Sequence, residues 1–233
     1  MTSFWHNLRG QSEKSVVDAP PDELPTAVVG CVVNGRVQPR HIASTLFHLA
    51  QRGFLTIVQE QDDLVFHRSA QKDTHLTLAE QLFLRDLFTE YQLQIPFYHL
   101  PTRLDKLMQA SERFLQTDKK QAAATMKKDQ KKKWKQFANY LRQKEQLDEY
   151  EQFGQYFAYA VALDLEVDWA LRFTDASKAS LPIWYATPQP EQQLGELVHV
   201  AQTVTGLLTK RAPAFQIPSQ PGAFGHVSAG GHF

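Results

Sequence analysis

The stretch from Pro20 to His67 constrains this chain most, because its apolar residues run at helical spacing through two segments and then in two short β-prone runs, with glycines at the breaks. Leu24, Val28, Val29, Val32 and Val33 recur at roughly helical spacing. Asp22 reads as the N-cap, Pro25 falls in the first turn, and Asn34-Gly35 closes the segment. Pro39 opens a second helix with an apolar stripe of Ile42, Leu46, Leu49 and Ala50, which Gly53 ends after Gln51-Arg52. Residues 54–58 and 64–67 are β-prone, and the polar residues 59–63 between them mark a hairpin. Two short helices or one hairpin are unstable alone, so each must bury its apolar face on the others. Helix, turn, helix, hairpin is the order of a winged helix. The expected fold is mainly α with a small β-hairpin, an α+β chain in which a winged-helix-like N-terminal domain over 20–69 precedes a helical C-terminal domain.

Around this unit, residues 1–19 are polar and end in Ala19-Pro20-Pro21, which predicts a flexible lead-in. The spacing predicts a helix from Thr77 to Tyr91 with Leu78, Leu82, Leu87 and Phe88 inward, capped by Thr77 with Glu80 three residues on. Leu93-Gln94-Ile95 reads as a short strand, and Pro101 starts a helix to about Thr117 with Leu104, Leu107, Met108 and Leu115 inward. Residues 74–117 are thus expected as a helical extension, a degenerate second winged helix. Lysines then crowd 118–133, which reads as a linker and domain boundary. Helical patterning resumes over 134–186 through Trp134, Phe137, Tyr140 and Leu141, then Phe153, Tyr156, Phe157, Ala160 and Val161, with Trp169 and Phe173 a turn apart. Of residues 187–233, only Leu194 to Leu208 is weakly amphipathic, and the Pro, Gly and Ser-rich remainder is expected to be disordered.

Lys plus Arg and Asp plus Glu both total 25, so no whole-protein field favours a polyanion and any electrostatic role must be local. The single cysteine, Cys31, excludes an intramolecular disulfide and fits a reducing, cytoplasmic compartment. Met1 to Gly10 holds no apolar run of the kind a secretory signal needs. The longest apolar stretches, 27–33 and 157–163, fall far short of the ~20 residues of a membrane span.

Candidate chemistry is sparse. His41 and His48, seven apart, share a helix face, but no neighbouring carboxylate or cysteine completes a metal site and His67 sits in the hairpin, so no metal is expected. Cys31 lies among valines, an environment that raises a thiol pKa and suits a core residue better than a nucleophile. Asp164, Glu166 and Asp168 could form an acid–base pair, but a loop-like junction favours capping and solvation. No G-x-S-x-G, phosphate loop or H-E-x-x-H occurs, so no catalytic residue, cofactor or small-molecule ligand is expected. A DNA reading would use the second helix, with Arg36, Arg40 and Arg52 on phosphates. Glu60, Asp62 and Asp63 at the hairpin tip would repel that backbone. Lys119, Lys120, Lys127, Lys128, Lys131, Lys132, Lys133 and Lys135 suit a solvated linker, an anionic membrane surface, or single-stranded nucleic acid with Trp134 as stacking platform.

Several of these segments together resemble the cytoplasmic region of the YciQ-like predicted bacterial membrane proteins, a family of unknown function. The resemblance rests on residues 20–25, 34–37 and 45–55, then on 156–163, Trp169-Ala170, Phe173 and Trp184-Tyr185. Its signature residues, expected to be structural, are Pro21, Leu24, Gly35, Arg36, Leu49, Ala50, Arg52, Gly53, Tyr159, Ala160, Ala162, Leu163, Trp169, Phe173, Trp184 and Tyr185. Two departures stand out: the lysine segment replaces an apolar hairpin between Leu115 and Trp134, and Asp164 stands where the family tends toward Gly. The resemblance implies a cytoplasmic module without known catalytic residues, attached in typical members to transmembrane helices. The expected role is a non-catalytic interaction or regulatory module, peripheral to the inner membrane, whose partner is a membrane protein or an anionic membrane surface. A winged-helix DNA-binding regulator and an uncharacterised enzyme are the alternatives.

Overall fold

The computed structural model describes residues 17–60, 63–71, 74–89, 93–96, 99, 103, 115–126, 128–147, 151–173, 182–187 and 193–209. Helix α1 (Thr26–Asn34) ends at Gly35 and α2 (Pro39–Gln51) is followed by Gly53; both glycines take the left-handed backbone their turns require, with φ of 76° and 80°. Strands β1 (Leu55–Glu60) and β2 (Asp63–Arg68) form the expected hairpin, with Leu55 opposite Arg68 and Glu60 opposite Asp63. Leu55 and Ile57 are buried while Thr56 and Val58 are only partly so, the alternation that one packed face imposes. Helix α3 (Leu78–Leu87) and strand β3 (Gln94–Pro96) follow, then helical residues 115–125 as α4. The remaining elements are α5 (Lys128–Leu141), α6 (Glu151–Leu163), α7 (Glu166–Ala170), β4 (Tyr185–Ala186) and α8 (Gln193–Leu208).

The described fold is thus mostly helical with a small sheet, and the sheet is larger than a lone hairpin. Its order is β3-β2-β1-β4, antiparallel except for the parallel pairing of β1 with β4. Ile57 N–H donates to Trp184 O at 2.8 Å, closing the β1 edge with a segment far along the chain.

Helix α2 lies at the centre. It packs on α1, α6 and α8, and α6 also packs on α1. Phe47 of α2 meets Phe157 of α6 edge-on, with centroids 5.3 Å apart, and Trp184 tilts against both rings. Gly30 sits where α1 leaves no room for a side chain against α2 and α6: a Cβ there would lie 2.5 Å from His41 Cδ2 and 2.8 Å from Ala162 O. Apolar side chains on both sides of 118–133 join one hydrophobic cluster.

Several expectations change. In the segment expected as a Lys-rich linker, residues 118–125 and 128–133 are helical, because lysine is a good helix former and Trp134, Phe137 and Leu141 give α5 a face to bury. Trp134 is buried, and its indole N–H donates to Asp22 Oδ2 at 3.3 Å, so it is no exposed stacking platform. Asp22 does not cap α1, whose first residue is Thr26; its other carboxylate oxygen accepts from Leu24 N–H. Helix α3 stops at Leu87, and Leu78, expected inward, is 56 % exposed because the Thr77 cap turns the first helical residue outward. The expected helix over 101–117 falls largely outside the described residues, as do 1–16 and 210–233.

Candidate interaction surface

The residue types that most invite a chemical reading gather around α2. Cys31 Sγ lies 3.1 Å from His41 Nδ1, and Asn34 Nδ2 lies 3.1 Å from His41 Nε2, a cysteine, histidine and asparagine in line. Their environment opposes nucleophilic chemistry. Cys31 and His41 are fully buried, and burial pushes the thiol up to about 12 and the imidazole down to about 4, so both are held neutral. A thiolate–imidazolium pair needs the opposite shifts. His41 Nδ1 also accepts from Gln38 N–H at 3.1 Å, which ties the ring to the start of its own helix.

His48, two turns further along α2, sits 3.5 Å from the Glu80 carboxylate, which accepts from Arg52 at 2.8 Å. Glu80 is buried, and its second oxygen accepts from Thr77 N–H, completing the capping box of α3. Burial lowers His48 to about 4 despite the nearby carboxylate, with Arg52 adding to the fall. The adjoining cavity, lined by Thr45, His48, Thr77, Glu80, Phe83 and Asp118, has a volume of only about 10 Å³, room for one water and no substrate. Burial, then Glu80, raises the Asp118 carboxyl.

Arg40 and Arg52, the expected phosphate contacts, are engaged within the fold. Arg40 pairs with Asp164 at 2.6 Å and approaches Glu166 at 3.7 Å, and also donates to Val161 O. Arg52 holds Glu80 and donates to His75 O at 2.8 Å. Arg36 is exposed. No residue of α2 is exposed, so the expected reading helix presents no face to a groove. Of the expected acidic tip, Glu60 is exposed and lies 3.3 Å from His67, while Asp62 falls outside the described residues. Among the described residues, no three His, Cys, Asp or Glu side chains come together as metal ligands.

Asp164 occupies the left-handed region at φ 64°, directly after α6, where a glycine would sit without strain. Its carboxylate reaches Arg40 across the α2–α6 contact, and Glu166, raised by burial first and foremost, completes the group. The acidic cluster is therefore split: Asp164 and Glu166 face Arg40, while Asp168 lies 3.6 Å from Arg142. Arg172, which sequence reasoning missed, is buried; its guanidinium donates to Tyr140 O and Glu145 O and stacks on the Tyr140 ring at 4.6 Å. Only its place beside the Trp169–Phe173 aromatic pair hinted at this.

The lysines behave differently. Lys119 donates to Gly35 O and so holds the C-terminal turn of α1 to α4, and Lys120 is exposed. On α5, Lys131, Lys132, Lys133 and Lys135 are exposed, and no ion pair or hydrogen bond to a described residue engages them. At 100° per residue, Lys131, Lys132 and Lys135 share the face opposite buried Phe137 and Leu141, and Lys133 stands apart from them. Lys127 and the side chain of Lys128 fall outside the described residues.

A helical α+β domain with an exposed cationic helix face, and with its reactive-looking polar groups drawn into internal contacts, defines the class. A family described as "Predicted membrane protein (DUF2207) C-terminal domain" matches residues 16–132, half of the chain. The chain belongs to that family. No curated protein and no solved structure matches it. No described helix is long and apolar enough to cross a membrane.

Proposed function

We propose that this chain is a non-catalytic interaction and regulatory module apposed to the cytoplasmic face of a bacterial membrane, with Lys131, Lys132 and Lys135 of α5 as its contact to anionic lipid headgroups. The observation that carries this reading is the exposed lysine face set directly opposite the packed face of the same helix. Each lysine near an anionic surface contributes ~1 kcal/mol, so three on one face give a useful, salt-sensitive attraction. Membership of a membrane-protein family supports a membrane-side location, and the YciQ-like resemblance suggests the cytoplasmic side. The winged-helix-like description of 20–69 is retained for its element order. Against a DNA-binding role stand the covered α2 and the internal pairing of Arg40 and Arg52.

Flotation with vesicles tests the proposal. The protein is expected to float with vesicles containing phosphatidylglycerol at low salt, to stay behind with neutral vesicles, and to lose binding when Lys131, Lys132 and Lys135 become Gln. Equal recovery of the variant and the unaltered protein sinks the proposal.

A further inference from the structure

The cationic face of α5 does not stop at its last lysine. Arg142 follows Leu141, and its N–H still donates to Ala138 O at 3.3 Å, so it keeps the helical register. Eleven residues separate it from Lys131, close to three full turns, which returns it to nearly the same azimuth about 16 Å further along the axis. Arg142 Nε then meets Asp168 Oδ2 of α7 at 3.6 Å, with the arginine side chain exposed and the carboxylate about half so. One residue before Asp168 stands Val167, and one turn beyond it stands Leu171; they are 43 % and 66 % exposed. Leu171 caps α7 in helical conformation, and positions four apart share a helix face, so α7 and its cap present an apolar pair to solvent beside the end of the cationic row.

Acidic neighbours would ordinarily keep such a pair from an anionic surface. The three acids of α7 and its approach are compensated or hidden: Asp164 pairs with Arg40, Asp168 with Arg142, and Glu166 is buried, while Glu145, near Arg172, stays exposed. The rear of α7 is fixed, because Trp169 is buried and its indole N–H donates to Phe153 O of α6 at 3.1 Å. Val167 and Leu171 are therefore held outward on a rigid support. A row of separate cations ending in a small apolar prong suits a flat anionic surface with an apolar layer beneath its charges.

We infer that the membrane-facing surface extends from the α5 lysines through Arg142 onto α7, where Val167 and Leu171 enter the interfacial layer of an anionic bilayer. This inference rests on the lysine-mediated docking proposed above and adds an anchor to it. The lysines bring the domain to the surface; the apolar pair slows its departure. α5 then lies parallel to the bilayer.

An environment-sensitive fluorophore tests this directly. Cys31 is fully buried, so a label added to a Leu171→Cys variant goes to the new thiol alone. With phosphatidylglycerol vesicles, a nitrobenzoxadiazole label at position 171 is expected to shift to the blue and brighten at least about two-fold. The same label on a Glu60→Cys variant, on the hairpin, should stay water-like. Changing Val167 and Leu171 together to Ser should weaken vesicle partition about ten-fold, the equivalent of roughly two buried methylenes. Vesicle binding by the unaltered protein without any response at position 171 overturns the anchor and leaves the lysine docking standing. Absence of vesicle binding altogether overturns both.

Discussion

Helices α2 and α5 are of nearly equal length, thirteen and fourteen residues, yet they spend their side chains in opposite ways. α2 carries His41, His48 and Arg40, borders Cys31 and Arg52, and looks rich in chemistry, but none of its residues is exposed and most of its polar groups turn to Gln38, Glu80, Asp164 and Val161, with His48 Nδ1 and Gln51 Oε1 buried and unpartnered among the described residues. α5 has an unremarkable lysine-rich composition, buries one stripe through Trp134, Phe137 and Leu141, and leaves the opposite face to solvent. Polar groups in a packed interior must be satisfied or neutralised. Reactive-looking residues near a helix crossing are thus drawn into the fold, and capacity for an external partner resides where packing makes no demand.

Acid should expose this contrast most strongly. His41 and His48 are held near 4 when folded and return to about 6.5 when unfolded, so the unfolded chain takes up protons first. Their neutral burial is fully compatible with folding above about pH 6.5, and stability is lost as pH falls from there toward 4. The expected loss is about 2 kcal/mol per histidine by pH 5, read as a falling urea midpoint. Asp118 and Glu166, raised by burial, bind protons in the folded state and blunt the loss at the acid end. A midpoint constant from pH 7 to pH 5 would break the account of α2.

Next in size is Gly30→Ala. Its new methyl group would meet the His41 ring and the Ala162 carbonyl of two different helices, neither of which can retreat without unpacking the core. Urea unfolding should show a loss of about 3 kcal/mol. Glu80→Gln should cost about 2 kcal/mol, since it removes the charge that His48 and Arg52 face while retaining a partner for Thr77 N–H. Differential scanning calorimetry would resolve that step, and an unchanged melting temperature would show that the α2–α3 contact does not depend on the charge.

The sequence made α1, α2 and the hairpin legible because Asn34-Gly35, Pro39 and Gly53 punctuate strong periodicity, and the Thr77–Glu80 capping box located the start of α3. It could not show that Tyr185-Ala186 would pair with Ile57 and Val58, since a two-residue strand has no pattern of its own and its partner lies more than 120 residues away. Distance likewise hid the partners of Arg40 and Arg52, which made them look available for phosphate. The lysine segment was conspicuous by composition. That it forms a helix with one free face depended on Trp134 turning inward to Asp22, a contact across 112 residues. Arg142, Val167 and Leu171 gained meaning only from the position of α7 beside the end of α5.

The smallest expected effect on stability is also the most informative about function. Lys131, Lys132 and Lys135 face solvent, so changing all three to Gln should alter unfolding free energy by less than about 0.5 kcal/mol. The decisive measurement pairs urea unfolding with partition onto phosphatidylglycerol vesicles for this one triple variant. An unchanged unfolding midpoint together with lost vesicle binding is the predicted result. A large loss of stability, or binding equal to that of the unaltered protein, would contradict the division of labour between α2 and α5.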